Sequence, residues 1–491
     1  MLFRSGVKRK GKYLSLTEKS THLKGSPNIK TGLAHLKELG INTLQLLPLQ
    51  NFDSDDDGLT YDWGYMPCHY FAPHGSYASN SFDLSRVKEL KKMVNTIHAE
   101  GIKLILDVVF NHTAEGRDNL ISFQALAPDY YYRQTHEGDY FNGSGCGNEF
   151  KSEAPMARKL IVDCLKYWVT EYKIDGFRFD LLGLMDYETF KIIESELIQI
   201  KPDIILYGEP WAAGGAGVEI LGKGVQRDTQ FGVFNDHFRD AIRGDNSKLG
   251  RGFVQGDSSQ ITRIKHGVTG SIYDFAQEPV ESINYAACHD NYTLRDKLML
   301  TMQESNSLNE EDLHRLEIMV AVLLLTAQGI PFIHSGQEFG RSKNFHHNSY
   351  NASDTINMLD WSLKTKNNKQ FELYRDLITL RSQHRIFRLS TSGEVRSAIS
   401  FIDPFPGDDT TLNSVVFQIN NPGVRDSFGA ALVAVNGSAG TVAFNLPEGD
   451  WKNVLQEGIV HLKISTLTAS PKTKIELGPW ESRILATINH S

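Results

Sequence analysis

From Gly32 to about Gln383, short runs of β-branched and apolar residues alternate with longer segments of helical periodicity. This alternation predicts parallel strands joined by helices, because parallel neighbours need a long crossover connection. The clearest helix is 155–172, in which apolar residues from Met156 to Tyr172 recur at helical spacing. We expect an α/β fold, a (β/α)8 barrel of the TIM type. The predicted strands are 42–48, 103–109, 176–180, 204–209, 232–236, 284–290 and 330–336.

The strand count is one short of an eight-stranded barrel. The run 29–39 predicts the first outer helix, and residues 1–28 contain no run apolar enough for a buried strand. The sequence therefore predicts a barrel whose first strand is missing from this chain.

A second kind of pattern begins after about Ser390, where helical periodicity stops. Short β-rich runs separated by Gly, Pro and Asn, such as SVVFQI and TVAFNL, predict a C-terminal antiparallel β-sandwich. We expect two domains, the barrel at 1–390 and the sandwich at 391–491. Within the barrel, a long loop at 111–153 is inserted, and loops of this length are usually functional.

Composition excludes several classes of partner. A net charge of -8 provides no electrostatic attraction to nucleic acid or an anionic membrane. The longest apolar stretch is too short to span a bilayer, and the first residues lack the apolar core of a secretory signal. The cysteines show no CxxC spacing, so we expect neither a disulfide framework nor a zinc site, and a reducing cytoplasm fits. These cysteines are Cys68, Cys146, Cys164 and Cys288.

The run DSDDDG at 53–58 begins like a calcium-binding loop. Its twelfth position would be Gly64, where that loop requires Glu. We interpret the run as a solvated turn and expect no metal and no cofactor.

Three carboxylates follow predicted strands: Asp180, Glu209 and Asp290. In an α/β barrel, the loops after the strands form the active site. Two carboxyl groups that flank one bond are sufficient to cleave an acetal, one as nucleophile and one as proton donor. The pattern therefore indicates a glycoside hydrolase.

Longer sequence motifs show which glycoside hydrolases the chain resembles. LILDVVFNHT, DGFRFDLLG, YGEPW and NYAACHDN resemble, in order, the four signature segments of α-amylase-type glycoside hydrolases. YDWGYMP, YFNGSGCGNE and GIPFIHSGQEFGRSK are similar to segments of type I pullulanases. This resemblance implies hydrolysis of α-1,6 branch links in pullulan, limit dextrin or fragments of glycogen and starch. The expected partner is thus a branched α-glucan, cleaved by a retaining double displacement.

The resemblance also implies roles for individual residues. Asp180 would be the nucleophile, Glu209 the proton donor, and Asp290 would hold the sugar hydroxyls. Arg178, two residues before Asp180 on the same side of the strand, would keep Asp180 ionised. In a retaining enzyme the carboxyl groups of Asp180 and Glu209 lie about 5–5.5 Å apart.

Further side chains are expected to contact sugar. Aromatic rings pack on the C–H faces of sugars, whereas the hydroxyl groups need polar partners. By resemblance, Tyr65 stacks on the sugar at the cleavage point, and Trp211 faces the other side of the scissile bond. His112 and His289 donate hydrogen bonds to the sugar, and Asp107 supports the site. Asn142 and Asn148, in the long loop, line the cleft.

The chain departs from the family pattern at Asp62 and Met66, where YDWGYMP stands for the usual YNWGYDP, and at Pro210 after the proton donor. Two alternatives stay open. The first is an α-1,4-acting amylase or a glucan-transferring enzyme that uses the same carboxylates. The second is a catalytically impaired, truncated member of the family.

Overall fold

A computed structural model of the protein describes residues 2–55, 58, 60–116, 122–303, 309–406, 412–463, 465, 467–470 and 473–489. Asp56 and Asp57, in the run predicted to be a solvated turn, lie outside the described residues. The chain forms two compact units, of residues 1–37, 41–234 and 350–358 and of residues 38–40, 235–349 and 359–491. In the described parts of the chain, no helix has both the length and the apolar character needed to cross a bilayer.

A parallel sheet organises the first unit. Its neighbouring strands pair in the order Thr43–Leu46, Lys103–Val108, Gly176–Phe179, Ile205–Gly208 and Phe231–Phe234. These five predicted strands are confirmed. The three at 103–108, 176–179 and 231–234 are almost entirely buried, as expected for parallel strands covered on both faces.

Other elements surround this sheet. The helices of the first unit are Gly32–Leu39, Ser85–Ala99, Phe123–Leu126, Pro155–Tyr172, Tyr187–Ile200 and Asp354–Asn357, with short 3-10 turns at Tyr13–Thr17, Gly75–Tyr77 and Leu182–Leu184. Additional short strands are Leu2–Phe3, Thr21–Leu23, Ser26–Thr31, Gln50–Phe52 and Pro67–Pro73. The helix predicted from residue 29 begins only at Gly32, because Ser26–Thr31 pairs as a strand with Thr21–Leu23.

The helix Pro155–Tyr172 is confirmed, but its buried face differs at one end. Met156 is 51% exposed, contrary to the prediction, and Ala157 begins the buried face instead. Pro155 stands in the first turn, where a helix needs no N–H donor. Counting back from Trp168 and Ile161 in steps of three and four reaches Ala157, so helical geometry turns Met156 towards solvent.

The second unit contains the two remaining predicted parallel strands, Ser282–Asn284 and Ile330–Pro331, which pair with each other. The strand predicted at 284–290 is wrong in position, because it ends at Asn284. Tyr285, Ala286 and Ala287 are buried without belonging to a strand. Their apolar character reflects burial, and burial alone does not distinguish a strand from a loop.

Helices and β-sheets complete the second unit. Its helices are Asp236–Arg243, Ile261–Val268, Leu294–Gln303, Glu310–Thr326, Ser362–Lys366, Asn368–Gln383 and Ser392–Ala398. Short 3-10 turns occupy Phe253–Gln255, Ser258–Gln260, Pro279–Glu281, Gln337–Phe339 and Arg385–Arg388. Strands beyond the parallel pair are Leu359–Asp360, Ile399–Ile402, Phe405–Pro406, Ser414–Asn420, Phe428–Asn436, Val442–Asn445, Lys452–Gln456, Ile459–Val460, Thr468–Ala469, Lys474–Leu477 and Ser482–Ile488.

From residue 399 onwards the strands form two antiparallel sheets, as predicted. The larger sheet contains Phe428–Asn436 between Ser414–Asn420 and Ser482–Ile488, and the smaller contains Val442–Asn445. Leu432 and Leu485 of the larger sheet share one apolar core with residues of the smaller sheet, so the two sheets pack face to face. The predicted domain boundary at 390 and 391 stays a prediction.

Candidate active site

Arg178 joins three carboxylates at the ends of neighbouring strands. The register pairs Arg178 with Asp107, so both side chains lie on one face of the sheet. Arg178 Nη1 donates to Asp107 Oδ1 at 2.8 Å and to Asp180 Oδ1 at 2.9 Å. Arg178 Nη2 lies 2.6 Å from Glu209 Oε1. Arg178 and Asp180 lie on the same side of the strand, as predicted, and the same guanidinium also contacts the predicted proton donor.

Burial and the neighbouring charges shift the pKa values of the groups in these ion pairs. Arg178 is only 2% exposed, and burial alone would lower its pKa. The charges of Asp107 and Glu209 outweigh burial, so the pKa of Arg178 lies well above its usual value. For Asp107, the effect of burial on the pKa outweighs the effect of the neighbouring Arg178 charge. Burial raises its pKa to about 7, against the opposing charge of Arg178 and with a further contribution from Asp180.

Asp180 is oriented by a residue that sequence reasoning missed. Asn111 Nδ2 donates to Asp180 Oδ2 at 2.8 Å and to the Asp180 carbonyl at 3.0 Å. With Arg178 on Oδ1, each carboxylate oxygen of Asp180 has a fixed donor. The signal was available, because Asn111 directly precedes the predicted contact residue His112 in the motif FNHT.

Glu209 is held by the backbone that follows Asp180. Leu181 donates its N–H to Glu209 Oε2 at 2.9 Å, and Gly183 donates to the Glu209 carbonyl at 3.0 Å. Leu181 has a φ of 39°, in the left-handed region that residues with a side chain rarely adopt. Such strain concentrates at functional sites, where the surrounding structure fixes it. The turn after Asp180 thus positions the proton-donor candidate, and nothing in the sequence marked Leu181 for this role.

Tyr65 lies above the arginine. Its hydroxyl donates to Asp107 Oδ2 at 2.8 Å, and its ring centroid is 5.7 Å from the Arg178 guanidinium carbon. Gln45 also donates to Asp107 Oδ2, at 3.3 Å, and accepts from the Tyr207 hydroxyl at 2.5 Å. Burial raises the pKa of Tyr207, so this hydroxyl remains a donor. The half-buried Tyr65 ring is anchored at its hydroxyl end, and its stacking on sugar stays a prediction.

His112 and Trp211 lie in the same unit. His112 is buried, and its Nδ1 is 2.5 Å from Asn111 Oδ1, which links it to the residue that orients Asp180. Trp211 is half-buried, with the Lys223 ammonium 5.5 Å from its ring centroid. Their contacts with sugar stay predictions.

The two asparagines of the long loop have different environments. Asn142 is exposed, and its Oδ1 accepts from the Gly147 N–H at 2.7 Å. Asn148 is 1% exposed, and its amide makes three hydrogen bonds of 2.8 to 3.0 Å with the backbone of Thr113 and Glu115. Asn148 therefore holds the loop together. Its predicted contact with sugar stays a prediction and would require these bonds to change.

A buried ion pair that the sequence did not reveal also shapes this loop. Arg133 Nη1 lies 2.9 Å from Glu149 Oε1, and the same arginine contacts Glu153 at 2.6 Å. Glu149 further accepts from the N–H groups of Gly143 and Gly217. Burial of these charges is compatible with a stable loop, because each is paired and hydrogen-bonded.

Asp290 and His289 belong to the second unit and follow the strand Ser282–Asn284. The Asp290 side chain is 42% exposed, and its Oδ2 lies 3.5 Å from His289 Nε2. Lys343 Nζ donates to the His289 carbonyl at 2.8 Å. Asp290 is accessible to a ligand, and its predicted action together with Asp180 and Glu209 stays a prediction.

Comparison with known proteins assigns the chain to a family. A family model described as the alpha amylase catalytic domain matches residues 22–147. The pullulanase of Bacillus subtilis (strain 168) is 41% identical over 405 residues, which cover 80% of this chain and 55% of that protein. The structure of pullulanase from Bacillus acidopullulyticus has a TM-score of 0.92 and 39% identity, covering 99% of this chain and 59% of that one. Pullulanase from Paenibacillus barengoltzii, solved in complex with maltohexaose and alpha-cyclodextrin, has a TM-score of 0.89 and 34% identity and covers 99% and 75%.

The fold and these similarities define the class of α-amylase-type glycoside hydrolases. Within this class, the chain belongs to the pullulanase family. The predicted fold class, an α/β barrel type with a C-terminal antiparallel sandwich, is confirmed. The chain spans about half the length of the Bacillus subtilis pullulanase that it matches.

Proposed function

We propose that this chain hydrolyses α-1,6-glucosidic links in pullulan and related branched α-glucans. The observation that carries the proposal is the shared arginine, because Arg178 contacts both Asp180 and Glu209 within 2.9 Å at the ends of adjacent strands. Two carboxyl groups held on one rigid cation are arranged for acetal cleavage. The complex of the Paenibacillus barengoltzii pullulanase with maltohexaose and alpha-cyclodextrin supports an α-glucan ligand.

The proposed reaction proceeds in two displacements. In the first, a carboxylate oxygen of Asp180 attacks the anomeric carbon, the bond to the leaving oxygen breaks, and Glu209 gives its proton to that oxygen. In the second, water attacks the same carbon, Glu209 takes the proton from water, and the ester to Asp180 breaks. Two inversions return the original anomeric configuration, so the product has the α configuration. Asp290 would hold the sugar hydroxyls as the ring flattens.

The surroundings of Asp180 suit a nucleophile. Arg178 and Asn111 donate to its two oxygens and hold the carboxylate in one orientation. Glu209 binds the same guanidinium and the Leu181 N–H, so its position is fixed relative to Asp180. This fixed geometry lowers the entropic cost of bringing both groups to one glycosidic bond.

The test is product release from pullulan by the purified chain. We expect linear maltotriose, first seen by proton NMR as the α anomer. Asp180→Asn should lower the rate by about 10⁴-fold or more, because it removes the nucleophile. Asp203→Asn is the matched control, since Asp203 forms only surface ion pairs with Lys103 and Lys201. Maltotriose release that persists in Asp180→Asn would contradict the assignment.

Other products would decide between the alternatives. Cleavage of amylose without cleavage of pullulan would indicate an α-1,4-acting enzyme. Longer glucans formed from amylose would indicate glucan transfer. A folded chain that releases no product from any α-glucan would indicate a catalytically impaired member.

A reducing cytoplasm is the compartment that we propose. All four cysteines of the chain are thiols rather than disulfides, and Cys164 is buried against Tyr70 and Gln50. Thiols persist where glutathione keeps them reduced. Fractionation of source cells, with detection of the chain by antibody, tests this, and recovery from the medium or the periplasm would contradict it.

A further inference from the structure

Three consecutive residues place metal-binding atoms close together. One ligand atom each of Cys288, His289 and Asp290 lies within 4.8 Å of the other two, and all three residues are half-buried. Within the described ranges, no other group of three or more His, Cys, Asp or Glu side chains has ligand atoms close enough together to hold a metal ion. CxxC spacing does not reveal this cluster, because its members are adjacent in the chain.

The early end of the strand explains why adjacent side chains can converge. In an extended strand, successive side chains point to opposite faces, so three neighbours cannot bind one ion. Here the strand ends at Asn284, and residues 285–290 are irregular. Asn291 follows with a φ of 59°, which turns the backbone directly after Asp290. The loop conformation thus brings the thiol, imidazole and carboxylate to one side.

The spacing fits a tetrahedral ion. His289 Nε2 and Asp290 Oδ2 are 3.5 Å apart. Nitrogen and oxygen ligands at about 2.0–2.1 Å from zinc lie about 3.4 Å from each other across a tetrahedral edge. Two of the three ligands therefore already have the required separation, and a ligand atom of Cys288 lies within 4.8 Å of a ligand atom of each of the other two residues.

We propose that Cys288, His289 and Asp290 form a site for a thiolate-binding divalent cation such as Zn²⁺, and that this cation inhibits the chain by occupying Asp290. Thiolate, imidazole and carboxylate ligands together favour zinc, whereas calcium and magnesium prefer oxygen ligands only. On binding, the Cys288 thiol releases its proton to solvent and water fills the fourth position. The inhibitory part rests on the proposed function, because it requires Asp290 to hold substrate.

Neighbouring positive charge weakens the binding. Lys343 lies against the His289 carbonyl at 2.8 Å and interacts electrostatically with Cys288 and Asp290. Its charge repels a cation but also stabilises the thiolate that binds one. With three protein ligands and this repulsion, we expect weaker binding than at a structural four-ligand zinc site. The ion would be a reversible inhibitor, not a cofactor of hydrolysis.

Cobalt serves as the spectroscopic probe for this site. Titration of the purified chain with Co²⁺ should produce a near-ultraviolet thiolate-to-cobalt band, and added Zn²⁺ should remove it. Cys288→Ser and Cys288→Ala should abolish the band, while Cys146→Ser, at another half-buried cysteine, should retain it. Loss of an outer-shell partner already weakens metal sites 10–100-fold, so loss of this ligand should weaken Zn²⁺ binding by at least about tenfold. Absence of the band in the wild-type chain, or its persistence in both Cys288 variants, would overturn the site.

Inhibition is measured separately. The rate of pullulan hydrolysis with Zn²⁺ is divided by the metal-free rate of the same variant. We expect this ratio to fall in the wild-type chain and in Cys146→Ser, and to fall much less in Cys288→Ser. Zinc binding without inhibition would overturn the inhibitory part. If the wild-type chain hydrolyses nothing, the proposed function fails, and the cobalt titration still decides whether the metal site exists.

Discussion

Arg178 and Asp107 form a buried ion pair across two neighbouring parallel strands, with 2.8 Å between Arg178 Nη1 and Asp107 Oδ1. The strand register aligns the two residues, so the pair follows directly from the pairing of 103–108 with 176–179. Arg178 also contacts Asp180 and Glu209. The sheet register therefore determines where the two catalytic candidates are held.

Asp107 is expected to make stability depend on pH. Burial raises its pKa to about 7, whereas an unfolded aspartate titrates near 3.9. Between these pH values the folded chain binds more protons than the unfolded chain, so the free energy of unfolding falls as pH rises. The contribution of this group is on the order of 4 kcal/mol over the full window. Asp107→Asn should flatten this slope in urea unfolding at pH 4 to 8, and an unchanged slope would contradict the prediction.

Gly183→Ala tests the packing that positions Glu209. A Cβ on Gly183 would lie 2.4 Å from the Trp211 carbonyl oxygen, and its neighbours are backbone atoms that cannot rotate away. We expect a loss of about 1–3 kcal/mol in the free energy of unfolding and a lower kcat, because the segment 209–211 must shift. Gly215→Ala is the control, since no atom lies within 4 Å of a Cβ there. Equal stability and kcat in both variants would refute the prediction.

Tyr65 is expected to contribute to substrate binding through its ring and to stability through its hydroxyl. Tyr65→Phe removes the bond to Asp107, which should cost about 2 kcal/mol of stability and leave KM for pullulan nearly unchanged. Tyr65→Ala also removes the ring, and KM should rise about 3- to 10-fold if the ring stacks on sugar. Tyr187→Ala, at an exposed tyrosine, is the control for KM. The stacking prediction fails if Tyr65→Phe and Tyr65→Ala have the same KM.

The two loop asparagines should respond differently to truncation. Asn148→Ala leaves buried backbone groups of Thr113 and Glu115 without partners and should lower the free energy of unfolding by about 2–3 kcal/mol. Asn142→Ala, at an exposed site, should change stability by less than about 1 kcal/mol. If Asn142 contacts sugar, its variant raises KM instead. Thermal melting and pullulan kinetics on both variants distinguish these effects, and a stable Asn148→Ala chain would contradict the prediction.

Sequence patterns were reliable for the sheet and less reliable at the ends of its elements. Continuous apolar runs located the strands at 103–108 and 176–179, because parallel strands are buried on both faces. The same signal misplaced the strand at 284–290, where Ala286 and Ala287 are buried in a loop. Periodicity likewise included Met156 in a buried face that begins at Ala157. Apolar patterns report burial, and hydrogen-bond pairing needs partners that are remote in the chain.

In the candidate active site, likewise, residues in short sequence motifs were predicted, whereas contacts between distant segments were not. Asp180, Glu209 and Arg178 were predicted from the sequence, because each stands in a short motif and Arg178 and Asp180 alternate on one strand. Asn111, Leu181 and the loop ion pair of Arg133 with Glu149 were not predicted, since their partners lie 16 to 69 residues away in the chain.

The sequence by itself determined the alternating α/β order and the C-terminal sandwich and supplied the candidate carboxylates, since periodicity and motifs are local properties of the chain. Only the tertiary structure decided that one guanidinium contacts Asp107, Asp180 and Glu209, because this depends on strand register. It also decided that Cys288, His289 and Asp290 converge, because the strand before them ends at Asn284. Register and strand ends are set by packing and hydrogen bonds between distant segments, which no local pattern specifies.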